Sequence, residues 1–449
     1  MKISSGIFYR ECGDNVYLRN VKTQKDYLLS SISVDILDYC RKHPDCTIDE
    51  ICEQVSNDYN VDIEIVRRDI IDFVERMLVE GVFEKQNPEA SHESIQQIIE
   101  NYYFESKQIY GACLEITYRC SERCKHCYVD SSCNNCIDSE INKELTLEEY
   151  KMIIDELYDL GTIYLLITGG EVCLKKEFID IVKYAIEKGM LVNIYTNGIS
   201  MTDEQFDSLC AMNINSVSFS LYGGEPSVHD HITGVPGSFN KTLNRAMMFK
   251  CAGIDTYIKS VVLKESLPYM DKLLRLGNRL NIDVSVSINL SRINGNDNPC
   301  RLTMFEEYKK ASSIMGFNQS ASRLGKRKSN TVFCNSGHIT LSIDPYGGVH
   351  PCVAFREAAG NIREKTIREI REQSSLFKKV RNLTIADFNT DCANCDHIDY
   401  CNICIGHCFD YITGTVKPYD DICMTANAVH DMIKEKKGGI KHEKGVFST

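Results

Sequence analysis

The apolar positions along this chain change period as it proceeds, and the changes divide it. Val16-Tyr17-Leu18 and Tyr27-Leu28-Leu29 flank the polar run Lys22-Thr23-Gln24-Lys25, the pattern of two strands joined by a turn. Ile48, Ile51 and Val55, then Val66, Ile70, Phe73 and Met77, recur at helical spacing and give each segment one apolar face. Strands followed by short helices predict a winged-helix module over residues 1–86. Residues 87–108 open with Asn87-Pro88-Glu89 and are polar, which predicts a linker holding a short helix. Beyond it, apolar runs at 114–116, 163–167, 191–195, 217–221, 257–262 and 284–288 alternate with helical stretches. Thr146 with Glu149, and Thr202 with Gln205, fit the capping box that opens a helix. Six strand-then-helix repeats predict an α/β fold with a parallel, barrel-like sheet over residues 109–325. A cysteine-rich region occupies 326–449.

The length, 449 residues, is too great for one ordinary core and predicts two or three domains. No stretch approaches a membrane-spanning helix, and the amino terminus lacks a signal-peptide apolar run, so a cytoplasmic protein without a membrane partner is expected. The formal charge of -12 disfavours nucleic acid, whose binding is driven by neutralising phosphates. Residues 48–80 carry ten acidic side chains against Arg67, Arg68 and Arg76, so a winged helix here would repel DNA. Twenty-two cysteines in a reducing compartment point to metal or cluster ligation, not to disulfides. Eleven fall outside the two groups described next. Of these, Cys113, Cys210 and Cys251 read as small core residues. Cys133 and Cys136, a Cys-Asn-Asn-Cys pair, read either as a redox or metal-binding pair or as an exposed pair without function.

The first group is Cys120-Ser-Glu-Arg-Cys124-Lys-His-Cys127. Three thiolates on one short loop can hold three irons of a cubane cluster and leave the fourth open. Structural zinc is the bland reading, but it needs four ligands, and adjacent His126 and Cys127 point apart in a tight loop. If the parallel sheet is right, ligand sites lie at the carboxyl ends of its strands. Thr168-Gly169-Gly170-Glu171 follows the second strand, Thr196-Asn197-Gly198 the third, and Ser218-Phe219-Ser220-Leu221-Tyr222-Gly223 ends the fourth. With the cysteine loop after the first strand, all four motifs fall on one rim. The chain resembles the radical S-adenosylmethionine (SAM) superfamily, whose cysteine triplet has this spacing and whose fold is a partial (βα)6 TIM-like barrel. That resemblance implies a [4Fe-4S] cluster on Cys120, Cys124 and Cys127. It implies that Gly169, Gly170 and Glu171 line the methionine amino group of SAM, Glu171 pairing with the ammonium. Asn197 and Ser220 would reach the ribose or carboxylate end, and His126 would stack on adenine. The arginine that many relatives carry for the SAM carboxylate is replaced by His229-Asp230-His231-Ile232-Thr233, and Lys259 on the fifth strand is the candidate in its stead. Val172 stands where the family commonly has proline.

The second group comprises Cys334, Cys352, Cys392, Cys395, Cys401, Cys404, Cys408 and Cys423, with Gly347 four residues before Cys352. Spacing alone leaves two four-cysteine zinc sites open. The order resembles the SPASM domain, which holds two auxiliary [4Fe-4S] clusters and would bring the total to three. The resemblance assigns Cys334, Cys352 and one or both of Cys404 and Cys408 to the first, and Cys392, Cys395, Cys401 and Cys423 to the second. The usual fourth ligand ahead of Cys334 is missing, since no cysteine occurs from 301 to 333. If only one of Cys404 and Cys408 ligates, one iron stays open.

The amino-terminal module resembles the RiPP recognition element, which grips precursor leader peptides by adding them as a strand to its sheet. Together the three parts resemble the radical SAM/SPASM maturases of the sactipeptide and ranthipeptide type. The resemblance implies a 5'-deoxyadenosyl radical, thioether crosslinks in a ribosomal cysteine-containing precursor peptide held by its leader, and a low-potential donor of flavodoxin or ferredoxin type. Three alternatives stay open: carbon-carbon crosslinking or side-chain oxidation of the sulfatase-maturase kind, a zinc-containing winged-helix regulator, and a protein that only carries electrons.

Overall fold

The computed structural model describes the chain except residues 1–2, 4–5, 14, 44–45, 81, 84–94, 130–142, 292–297, 316–333, 385–386, 388–391, 393, 402–403, 411–412, 417–419 and 444–449. Cys133 and Cys136 therefore lie outside the described residues. The chain forms two compact units, Met1–Tyr110 and Gly111–Thr449.

In the first unit, β1 (Ile7–Cys12), β2 (Asn15–Asn20) and β3 (Lys25–Ser30) form an antiparallel sheet in chain order. β2 and β3 are the expected hairpin, with Tyr17 opposite Leu28. Its turn is set by Asn20, whose side-chain oxygen accepts from the Lys22 and Thr23 amides, an Asx turn. Helices Ile32–Lys42, Ile48–Tyr59 and Ile63–Val79 follow. Ile51, Val55, Val66, Ile70 and Met77 are buried together with Leu18, Ile36 and Leu37, while Ile48 and Phe73 pack against them half-buried. The span expected as a linker contains a helix, Ile95–Ser106, whose Ile99 and Tyr103 are buried.

The second unit is built on one nine-stranded sheet. β4 (Gly111–Glu115), β5 (Tyr164–Thr168), β6 (Leu191–Thr196), β7 (Ser216–Ser220), β8 (Thr256–Val261) and β9 (Asp283–Ser287) are all parallel and lie side by side in chain order. Parallel neighbours require crossovers, and these run through helices such as Leu147–Asp159, Phe178–Glu187, Asp203–Cys210 and Ser238–Cys251. The capping boxes at Thr146 and Thr202 are both formed. Every strand therefore delivers its carboxyl end to the same rim, as the partial barrel requires.

β10 (Thr340–Ile343) pairs parallel with β4, and β11 (Gly348–His350) and β12 (Gly360–Asn361) continue the sheet antiparallel. The cysteine-rich region thus extends the barrel sheet from the strand that carries the Cys120 loop. This also explains why β4 starts three residues before the apolar run that predicts it. Gly111, Ala112 and Cys113 are held in register by Thr340, Leu341 and Ser342 on the far side, a pairing that local periodicity cannot show. Gly347 closes the β10–β11 turn at φ 89, a left-handed conformation that favours glycine. None of the three cysteines expected in the core is fully buried: Cys251 is exposed, and Cys113 and Cys210 are half-buried. Among the described residues no helix is long and apolar enough to cross a membrane.

Candidate active site

The loop after β4 is anchored at both ends by backbone bonds. Arg123 and Lys125 donate their amides to Thr233 and Ile232, the last carbonyls of helix Pro226–Thr233, and Cys127 donates to Cys124. The segment that replaces the family's arginine is therefore a docking surface for the cysteine loop. His229, wholly buried, accepts from the Tyr222 amide, and Asp230 accepts from the Gly237 and Phe239 amides and the Ser238 hydroxyl.

Cys120, Cys124 and Cys127 face a cavity of about 400 Å³, within the range of small-molecule sites. Its wall also includes Gly169, Gly170, Asn197, Ser220, His126 and Lys259. Every residue assigned to the site from sequence thus lines this chamber, with one exception. Glu171 does not. Its buried carboxylate accepts from the Thr196 hydroxyl at 2.5 Å, the Asn197 amide at 2.7 Å and the Cys173 amide at 3.2 Å. With its oxygens turned to these donors, Glu171 positions Asn197. Asn197 in turn places its amide nitrogen 3.6 Å from Cys120 Sγ.

The glycine pair is needed for backbone contact inside the protein. A Cβ on Gly169 would sit 2.3 Å from the Thr117 carbonyl, and one on Gly170 2.3 Å from the Arg119 carbonyl. Gly170 and Glu171 donate their amides to those carbonyls at 2.7 Å. Gly169 also has φ 145, where side chains are strained. The pair thereby pins the stem of the cysteine loop to the next strand.

Burial pushes the Cys120 thiol up to about 12, and it raises Cys124 and Cys127 as well, with Glu122 a further cause at each. Such thiols stay protonated near neutrality until a metal takes the proton's place. His126 is held down to about 4 by burial and is neutral. Its ring meets Tyr222 edge-on at 4.4 Å. Among the described residues, His126 Nδ1 and Glu122 Oε1 are buried with no hydrogen-bond partner, the mark of a site shaped for a polar occupant. Lys259 lies over the Tyr195 ring at 5.7 Å, and burial lowers its pKa.

Cys113, expected in the core, lines the same chamber. Sequence reasoning also missed the polar groups beneath the loop. Glu115, wholly buried, binds Arg356 at 3.2 Å, Tyr118 at 3.1 Å and Tyr128 at 2.6 Å. Arg356 thereby ties the turn after Cys352 to the residues flanking the triplet. Glu144, also buried, takes Lys175 at 3.0 Å and Thr117 at 2.5 Å. None of these has a local sequence signal, because their partners are between 13 and 241 residues apart except Tyr118.

In the cysteine-rich region Cys334, Cys352, Cys392 and Cys401 pack around the cluster formed by Phe355, Val380, Leu383, Ile405 and Cys408. Cys404 lies near enough to Cys352 and Cys334 for both to raise its thiol, after burial, to about 12. Cys395 and Cys423 are exposed. Among the described residues no three His, Cys, Asp or Glu side chains converge as a single-ion site would need.

A parallel half-barrel with a thiol-bearing loop on its rim, and a glycine pair beside it, defines a radical SAM protein. The profile of the Radical SAM superfamily matches residues 114–277, that of SPASM, the iron-sulfur cluster-binding domain, residues 334–396, and that of coenzyme PQQ synthesis protein D residues 17–82. The chain thus carries a radical SAM domain, a SPASM iron-sulfur cluster-binding domain and a PqqD-type domain, with SAM and a [4Fe-4S] cluster as the cofactors of the first. It is 27% identical over 318 residues to the AdoMet-dependent heme synthase of Methanosarcina barkeri, covering 65% of this chain and 89% of that one. It is 27% identical over 305 residues to the mycofactocin maturase MftC of Mycolicibacterium smegmatis, covering 64% and 75%. Its fold matches Streptococcus suis SuiB bound to precursor peptide SuiA with a TM-score of 0.58 at 16% identity, over 90% of this chain and 95% of that one.

Proposed function

We propose that this chain installs thioether crosslinks in a ribosomally made, cysteine-containing precursor peptide. The observation that carries the reading is the cavity shared by Cys120, Cys124 and Cys127, Gly169, Gly170, Asn197 and Ser220, in a chain that also has a PqqD-type match at 17–82. Cys120, Cys124 and Cys127 would hold the [4Fe-4S] cluster, which with bound SAM would supply 5'-deoxyadenosyl radical chemistry for taking a hydrogen from the substrate.

The protein's own residues bind, orient and exclude water. Glu171 fixes Asn197 against Cys120. His126, kept neutral by burial, offers an uncharged ring face to the adenine. Lys259, whose charge is costly where it lies, receives the carboxylate of SAM, and Ser220 faces the ribose. The carboxyl-terminal cysteines hold two further [4Fe-4S] clusters, three in all. The placement of Cys404 near Cys334 and Cys352 supports it as the third ligand of the first auxiliary cluster. Cys392, Cys395, Cys401 and Cys423 hold the second. The amino-terminal module holds the leader of the precursor, and a flavodoxin- or ferredoxin-type protein supplies the electron.

The relatives include heme synthases as well as peptide maturases, so the test must read the bond formed. Reduced, reconstituted protein is incubated with SAM and a cysteine-bearing precursor. Mass spectrometry should show loss of two hydrogens per crosslink, with protection of the modified cysteine from alkylation. Loss of two hydrogens with all cysteines still alkylated would replace the thioether by a carbon-carbon bond. An unmodified peptide, with turnover of a porphyrin instead, would remove the peptide reading.

A further inference from the structure

We propose that the Ser336 hydroxyl donates a hydrogen bond to the Cys334–Cys352 thiolate pair and sets the reduction potential of the cluster held there above that of the Cys120, Cys124 and Cys127 cluster. This rests on the reading of those thiols as cluster ligands.

The two cysteine groups lie in opposite surroundings. Around the triplet are buried carboxylates: Glu115, Glu122 and Glu171 are at most 3% exposed, and Glu122 Oε2 is an acceptor 3.4 Å from Cys124 Sγ. Donors there are the Glu122 amide at 3.5 Å and the Asn197 side-chain amide at 3.6 Å on Cys120, and the Val129 amide on Cys127. The carboxyl-terminal group is surrounded by donors. The Ser336 amide lies 3.4 Å from Cys334 Sγ and its hydroxyl 3.1 Å. The same hydroxyl reaches Cys352, which also accepts from the Ala354 and Phe355 amides, while Cys404 accepts from those of His407 and Gly406. The leading groups that act on Cys352 and Cys404 are these hydroxyl and amide donors and neighbouring thiols.

Reduction adds negative charge to a cluster, so donors aimed at its sulfurs raise the potential and buried anions lower it. Ser336 is 6% exposed and clamped, because the next residue, Gly337, donates to both Thr340 and Pro351. Its hydroxyl is therefore held in the gap between the two cysteine segments, where water competes little. Val353, one residue past Cys352, lines the reaction chamber. The higher-potential acceptor thus stands next to the place where closing a sulfur-carbon bond from a carbon radical and a thiolate releases one electron.

The test is a redox titration, followed by electron paramagnetic resonance, of the anaerobically reconstituted full chain and its S336A and S336T variants. Iron analysis and melting of the iron-free proteins accompany it. One auxiliary signal should titrate at a more negative potential in S336A and return toward the wild-type value in S336T, with iron content, melting and the triplet signal unchanged. An unshifted S336A potential overturns the proposal. So does loss of iron from that cluster in S336A, which would make the hydroxyl a ligand. Wild-type protein with iron only at the triplet would sink the ligand reading itself, an outcome distinct from both.

Discussion

Single residues set the geometry of this site mainly through acids that never face it. Glu171 gathers donors from Thr196, Asn197 and Cys173. Glu171→Ala strands these buried donors, and about 3 kcal/mol of stability should be lost, visible as a lower melting temperature of the iron-free protein along with loss of SAM binding. Glu115 makes a similar case. Arg356→Ala leaves its wholly buried carboxylate without its cation, at a cost of about 3 kcal/mol. Adding Glu115→Gln to that variant should restore part of the loss, and a purely additive double-mutant cycle would contradict the coupling. Buried histidines give a pH dependence. His229 and His338 are lowered by burial from 6.5 to about 4. The unfolded chain therefore binds more protons between those values, so their contribution is complete above the unfolded pKa and is lost as pH falls toward 4. Denaturant midpoints should drop between about pH 7.5 and about pH 5, and His229→Gln should flatten the drop.

At the scale of elements, what the sequence makes legible is what neighbours in the chain decide. The hairpin of β2 and β3, the capping boxes at Thr146 and Thr202 and the six parallel strands all follow from short-range pattern, and all are formed. So does the set of rim motifs, since strand polarity alone sends them to one end. Contacts distant in sequence are illegible. Neither the pairing of β10 with β4 nor the Glu115–Arg356 bond leaves a periodic trace. The glycine pair lies in the chamber wall where the motif puts it, while Glu171 turns its carboxylate to Thr196, Asn197 and Cys173, because a motif states residue types and not which way a carboxylate turns. Cys251 was misplaced because helix Ser238–Cys251 ends there, beyond its apolar face. Caps also carry a prediction. Thr146→Ala should cost about 1 kcal/mol, and Glu149→Ala more, because Glu149 both closes that box and binds Arg363 at 2.6 Å. Equal costs in thermal melts would mean the Arg363 contact adds nothing.

Across the whole molecule, one sheet joins two kinds of cysteine chemistry. The barrel strand β4 carries the triplet loop at its carboxyl end, and β10 and β11, paired beyond it, carry the turn that leads to Cys352. Arg356 crosses between them. That continuity brings the Cys352 turn to the chamber, whose wall includes Val353, and it makes the triplet the point on which the rest depends. The direct test is SAM cleavage under reduction by anaerobically reconstituted protein, wild type against C120A/C124A/C127A. The wild type should form 5'-deoxyadenosine, and the triple variant should form none while keeping its auxiliary-cluster absorbance. 5'-Deoxyadenosine from the triple variant at the wild-type rate would contradict the account.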